Sequence, residues 1–295
     1  MTKNVRMPFP GRIALGSALA CALALAGSLA LSRQEAQAAT AAVDLGFSGE
    51  VTQGGWIRGM APKGTVSLSL DGESVGVDPA SGQWFAAFDR DAKSSVTLEA
   101  KLADGRVVDR TISVAPRHWN IENINVARTA KGPSEAFMKI RRPELAQINA
   151  ARDMRTGAKG WMEHFIWPAK GRISGRFGSQ RIYRGEPGAY HSGIDIATGT
   201  SGTPFVAPAD GVVILAADKP FSLEGNLLML DHGNGLNSAF LHCSQILVKV
   251  GDHVKQGQVI GKIGMTGRAT GPHLHWSLKW KDARLDPILF TGPMD

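Results

Sequence analysis

The chain has 295 residues, 43% of them hydrophobic and 20% charged, which suffices for a sizeable core and fits two domains. Its formal net charge is +7 with no concentrated Lys/Arg stripe, which argues against nucleic acid as a partner. There are two cysteines, Cys21 and Cys243, too few for a disulfide-stapled scaffold.

At the amino terminus Lys3, Arg6 and Arg12 precede an apolar run from Ile13 to Leu31, and Ala36-Gln37-Ala38 follows as a small-x-small site. This layout predicts a secretory signal peptide over residues 1–38, cut after Ala38. An uncleaved membrane anchor is the competing reading, because the run is nearly long enough to span a bilayer. A lipoprotein signal at Cys21 fits less well, since the apolar run continues beyond it. The expected location is therefore exported, periplasmic or extracellular, with membrane anchoring if the signal is retained. Residues 1–38 carry four basic residues and one acid, which leaves +4 of the +7 on the remainder. That charge allows only weak association with an anionic envelope. Loss of Cys21 with the signal leaves Cys243 alone, so no intrachain disulfide is expected.

Residues 39–115 read as a small β-sandwich-like module. Val66, Leu68 and Leu70 alternate with Ser67 and Ser69, and Val96, Leu98, Ala100 and Leu102 alternate with Thr97, Glu99 and Lys101. Both are period-two patterns of half-buried strands. Asp71-Gly72 and Asp104-Gly105 sit where hairpin turns are needed. No reactive cluster is present, so a positioning or docking role is expected, and a chain beginning near Gly160 is expected to fold without the module.

Residues 116–160 form a partly helical connector. Pro133, Ser134 and Glu135 suit a helix start, and Glu144 to Met154 favours helix with Pro143 in its first turn. Residues 161–295 then turn rich in Gly and short β runs. The plainest strands are Val212–Leu215, Leu227–Leu230, Ser238–His242 and His273–Leu278. The whole chain is expected to be mainly β, with an antiparallel sheet in its carboxyl-terminal part.

Six of the eight histidines lie between His191 and His275. His273 and His275, two apart on a strand, point to one face. In His191-Ser192-Gly193-Ile194-Asp195, the Gly and the β-favouring Ile argue for a loop entering a strand. Three ligands from His191, Asp195, His273 and His275, with one position left to water, make a catalytic type of zinc site. His242 is a further candidate as proton acceptor or oxyanion donor.

The surrounding motifs carry a resemblance. They are Ser174-Gly175-Arg176-Phe177-Gly178, His191-Ser192-Gly193-Ile194-Asp195, and Val206-Ala207-Pro208-Ala209-Asp210-Gly211-Val212-Val213. Asp231-His232-Gly233-Asn234-Gly235, His242, Val250-Gly251-Asp252-His253-Val254 and Gly257-Gln258-Val259-Ile260-Gly261 follow. Gly264-Met265-Thr266-Gly267 and Gly271-Pro272-His273-Leu274-His275 complete the set. Residues of about 165–290 resemble the lysostaphin/beta-lytic zinc metallopeptidases, which cut peptides of bacterial peptidoglycan. The resemblance implies a groove-bearing antiparallel sheet and one Zn2+ per chain on His191, Asp195 and His275. It implies that His242 and His273 are an unliganded catalytic pair, and that peptidoglycan peptides are the substrate. Two positions depart from the family pattern: Phe240 stands where Tyr is usual, and Cys243 where Leu is usual.

Cys243 is expected in the core, and Trp276 and Trp280 in the core or groove wall. His232 and His253 are expected in solvated turns, His118 and His164 in packing or capping roles, and Gln180 to Tyr190 in a polar loop near the metal. Arg176 suits either a substrate carboxylate or the surface. Two rival functions are weighed. A non-catalytic regulator of other wall hydrolases is disfavoured because all five inferred positions are filled. A biotinyl/lipoyl carrier, suggested by residues 250–261, is disfavoured because no Met-flanked lysine stands at a hairpin tip.

Overall fold

A computed structural model describes residues 44–127 and 133–294; residues 1–38, where a signal peptide is predicted, lie outside them. Among the described residues no helix is long and apolar enough to cross a membrane. The architecture is mainly β.

Near the amino terminus two small sheets face each other. One orders Phe47–Glu50, Trp56–Met60 and Gln83–Ala87; the other orders Glu73–Val75, Thr65–Leu70, Ser95–Leu102 and Val107–Ser113. Alternation explains the second sheet: Val96, Leu98, Ala100 and Leu102 are all buried. Its hairpins turn at Asp71-Gly72 (φ 48° and 85°) and at Gly105 (φ 86°), left-handed positions that Gly and Asp tolerate. Val66 departs from the simple alternation. A bulge between Thr65 and Ser67 shifts the register and leaves Val66 exposed.

The larger sheet orders His253–Val254, Gly211–Ala216, Asn226–Gly233, Leu236–Cys243, Leu274–Trp280, Ile194–Ala197 and Arg172–Gly175, with Ala283–Leu285 added beside Leu274–Trp280. Its two faces bury different partners. Leu228, Leu230, Phe240, Leu274, Trp276 and Leu278 join the main core. Leu227, Met229, Ala239 and Leu215 face the other way and pack on Ile148 and Ala151 of a helix. That helix spans Glu135–Asp153, with Ser134 capping the amide of Phe137. Pro143 lies inside it, not in its first turn, so one helix runs through the position where the sequence suggested a new start.

The module and the larger sheet share one hydrophobic cluster, and Leu45–Asp295 forms a single compact unit. Trp56 lies tilted against Phe290 (ring centroids 5.5 Å apart) and Phe85 meets the edge of Trp280 at 6.3 Å. The indole of Trp56 donates to the Leu289 carbonyl, and Arg117 pairs with the buried Asp286 at 2.7 Å. The connector also supplies a strand: Ile121–Ile124 pairs in parallel with Gln180–Tyr183. Gln180 to Tyr190 is therefore a paired hairpin at its start, with Ile182 opposite Pro187, and not a plain polar loop.

Candidate metal centre

Sheet register builds the site. Asp195 is paired directly with His275 on one side and with Gly175 on the other. Ile194 and Ile196 point into the main core, as do Leu274 and Trp276, so alternation puts Asp195 and His275 together on the opposite face. That is the face on which the helix packs. His191 arrives from the loop before the strand, held by its amide bond to the Ser179 carbonyl.

Two glycines leave the room this row needs. A β-carbon at Gly175 would collide with the Asp195 carboxylate, and one at Gly193 would collide with the Trp276 carbonyl and the His275 ring. Sequence reading quoted both glycines as motif residues without finding this reason for them.

His191, Asp195 and His275 converge. His191 Nε2 lies 3.1 Å from Asp195 Oδ1 and 3.0 Å from His275 Nδ1, and His275 Nδ1 lies 2.9 Å from Asp195 Oδ1. His191 Nδ1 faces the Arg176 carbonyl at 3.1 Å, which places the ring proton there and leaves Nε2 a lone pair. Three lone-pair atoms facing one another this closely repel unless a proton or a cation stands among them. Two imidazole nitrogens and one carboxylate oxygen are the donor set that zinc accepts, so the residues fit the metal that the sequence implied. Burial raises the Asp195 carboxyl, but contacts from His191 and His275 outweigh it and hold the group well below the usual carboxylate range. Burial pushes the His275 imidazole down, toward the neutral form that a ligand requires. His191 moves up, because its Asp195 contact outweighs burial.

His242 and His273 stand beside the cluster with ring centroids 4.9 Å apart. His273 Nε2 is 3.7 Å from Asp195 Oδ1. His242 Nδ1 faces the Thr266 carbonyl at 2.8 Å, and His273 Nδ1 faces the Gly271 carbonyl at 2.8 Å. Each ring thus keeps its Nε2 for other work. Burial lowers the His242 pKa, with His273 and His275 acting in the same direction, so its neutral form prevails near pH 7. His242 also has a left-handed backbone (φ 65°), uncommon for a residue with a side chain.

The other candidates stand apart from the cluster. Cys243 is buried and burial pushes its thiol up to about 12, so it stays protonated as a core residue. Trp276 and Trp280 lie in the main core on the opposite face of the sheet. Phe240, buried in that core, stacks near Phe205 at 5.2 Å, a packing place that a hydroxyl would not improve. His118 and His164 are exposed and do not pack as expected. His253 is exposed, but on the short strand His253–Val254 and not in a turn. The Arg176 side chain is exposed, and only its carbonyl meets His191. His232 is the correction: it is fully buried within a strand, between the Asp210 carbonyl (2.8 Å) and the Ser238 hydroxyl (2.7 Å). The turn begins two residues later, at Asn234, and the alternation Leu228, Leu230, His232 is the signal that places His232 inside.

An antiparallel sheet presenting a His-Asp-His cluster with two further imidazoles beside it is the framework of a metallopeptidase centre. The sequence profile of peptidase family M23 matches residues 189–287. A solved structure from Pseudomonas aeruginosa assigned to peptidase M23 superposes with a TM-score of 0.59 at 30% identity, covering 83% of this chain and 96% of that one. The chain belongs to peptidase family M23. The peptidoglycan DD-endopeptidase ShyA of Vibrio cholerae is 43% identical over 127 residues, which are 43% of this chain and 29% of that protein. The DD-carboxypeptidase/endopeptidase Mpg of Neisseria meningitidis is 39% identical over 126 residues, 41% of this chain and 27% of that protein. The chain thus spans less than a third of the length of these curated relatives.

Proposed function

We propose that this protein is an exported, zinc-dependent endopeptidase that hydrolyses peptide bonds of bacterial peptidoglycan, in a stem peptide or cross-link. The observation that carries the reading is the convergence of His191, Asp195 and His275 within hydrogen-bond distance of one another, beside two unliganded imidazoles. The names of the matched relatives, a peptidoglycan DD-endopeptidase and a DD-carboxypeptidase/endopeptidase, support the substrate class. The basic, apolar and small-residue layout of residues 1–38 supports export.

His191, Asp195 and His275 would hold the zinc ion, which would supply Lewis acidity to the scissile carbonyl and to the attacking water. The protein's own residues do the rest. The Thr266 and Gly271 carbonyls accept from Nδ1 of His242 and His273, which favours the tautomers that leave a lone pair on each Nε2. One ring would take the proton of the attacking water; the other, carrying a proton gained from solvent on its Nε2, would donate to the developing oxyanion. The protein should release new peptide termini from purified peptidoglycan, lose that activity to a chelator and regain it with zinc, with mass spectrometry identifying the bond. Binding to peptidoglycan without any cleavage, with zinc present, would instead favour a non-catalytic wall-binding role.

A further inference from the structure

The family match covers residues 189–287, whereas the helix Glu135–Asp153 precedes it and touches the site through a chain of polar contacts. Arg141 on this helix is mostly buried and forms a two-pronged pair with Glu224, at 2.6 Å from Nη1 to Oε2 and 2.6 Å from Nη2 to Oε1. Arg141 Nη1 also reaches Glu144 Oε2 at 2.9 Å. The Glu144 carboxylate accepts from the Ser222 amide and hydroxyl, each at 2.6 Å. Two side chains of one helix turn thus grip the loop joining Gly211–Ala216 to Asn226–Gly233 at two points.

That loop holds His242. The His242 amide donates to the Glu224 carbonyl at 2.8 Å, which fixes the backbone at its left-handed residue. The same loop interlocks with the segment that orients the His242 ring. The Arg268 amide donates to the Leu223 carbonyl, and the Asn226 amide donates to the Thr266 hydroxyl. A β-carbon at Gly225 or Gly267 would collide with the facing backbone, so the two segments are already at closest approach. The Thr266 carbonyl then accepts the hydrogen bond from His242 Nδ1 at 2.8 Å. Apolar packing of Phe221 with Ile148 and Ala151 seats the loop on the helix but does not fix the direction of Glu224. The Arg141 fork does, because a planar guanidinium on a carboxylate admits one geometry.

We propose that Arg141 and Glu144 are positioning residues for His242: the helix outside the family segment sets the angle of a histidine that sequence and site place beside the metal. The inference rests on the reading of His242 as a group that moves protons. A displaced loop would leave the His191–Asp195–His275 cluster intact, since that cluster is fixed by strand register and by the loop ending at Gly193.

The test compares the full mature chain with Arg141→Lys and Glu224→Gln, both of which lose the fork while keeping side-chain bulk, and with Arg142→Gln as control. Arg142 lies on the same helix but is exposed and pairs with Glu135. Arg141→Lys and Glu224→Gln should lower kcat on peptidoglycan fragments between about 10- and 100-fold with KM and zinc content unchanged, the scale of a misplaced reacting group. Neither should lower the rate further in a His242→Ala background. Amide hydrogen exchange at His242 should accelerate in both variants and not in Arg142→Gln. Unchanged exchange at His242 in both variants would overturn the proposal, as would an equal loss of rate with and without His242. The exchange measurement needs no substrate, so its outcome stands even if peptidoglycan proves not to be cleaved.

Discussion

At the scale of single residues, the five candidate positions divide into two classes that experiment can separate. Asp195→Ala and His275→Ala remove a ligand from a set of three, and elemental analysis should show strongly reduced zinc in each. Full zinc retention in both would refute the ligand assignment. His242→Ala and His273→Ala should keep the metal yet lose roughly 10²-fold or more in turnover, the scale of a lost acid–base group. His232 makes a different prediction, about stability. Burial lowers its pKa to about 4, against 6.5 for an unperturbed imidazole. The unfolded chain therefore binds a proton that the folded one refuses, and stability rises with pH between about 4 and 6.5. Over that window this residue's contribution to the loss on acidification is roughly 3 kcal/mol. His232→Gln should flatten the pH dependence of Tm in that range. An unchanged slope would show that other groups dominate it.

At the scale of elements, the site is a matter of strand register and of two glycines. Asp195 faces His275 because Ile194–Ala197 and Leu274–Trp280 pair in one register, and a slip of one residue in either strand would turn its own member of the pair into the core. Gly193 allows the loop bearing His191 to pass tight against the Trp276 carbonyl. Gly193→Ala should push this loop off the sheet, reducing zinc affinity and activity together while the rest of the fold melts within a few degrees of the parent chain. Isothermal titration with zinc and a thermal scan would check both parts. A variant that bound zinc normally would mean that the loop yields at little cost. The helix Glu135–Asp153 shows how weakly Pro143 acts as a boundary here. Eight residues of helix precede it, anchored by the Ser134 cap and by Arg141.

At the scale of the molecule, the module and the larger sheet are not beads on a string. Trp56, Phe85, Trp280 and Phe290 form one aromatic group drawn from both, and Arg58 donates to the Met162 and Glu163 carbonyls across the same boundary. Burying a large apolar side chain stabilises by roughly 1.5–3 kcal/mol, while a whole domain is stable by only about 5–15 kcal/mol. A chain beginning at Gly160 would uncover Trp280, Phe290 and Phe177 together. It should therefore melt far below the full chain and tend to aggregate, contrary to the independence that the sequence suggested. Circular dichroism and light scattering of the truncated chain would decide: a cooperative melt near the parent Tm in a monodisperse sample would restore the picture of separable domains.

The sequence by itself determined most of the local chemistry. The histidine cluster and its motifs singled out the five candidate positions that the fold brings together, and period-two alternation found strands of the amino-terminal module. Asp71-Gly72 and Asp104-Gly105 marked hairpins that form where their left-handed preference demands. These properties are local, because alternation and turn chemistry act between neighbours in the chain. Only tertiary structure decided which surface covers which. It joined Asp195 to His275 across 80 residues of chain, buried His232, paired the connector strand with Gln180–Tyr183, and laid the helix on the face that carries the His-Asp-His cluster. Periodicity states that Ile148 and Ala151 share a side of the helix, as do Leu227 and Met229 on their strand. That these two sides meet follows from shape and long-range packing, which no short window of sequence contains.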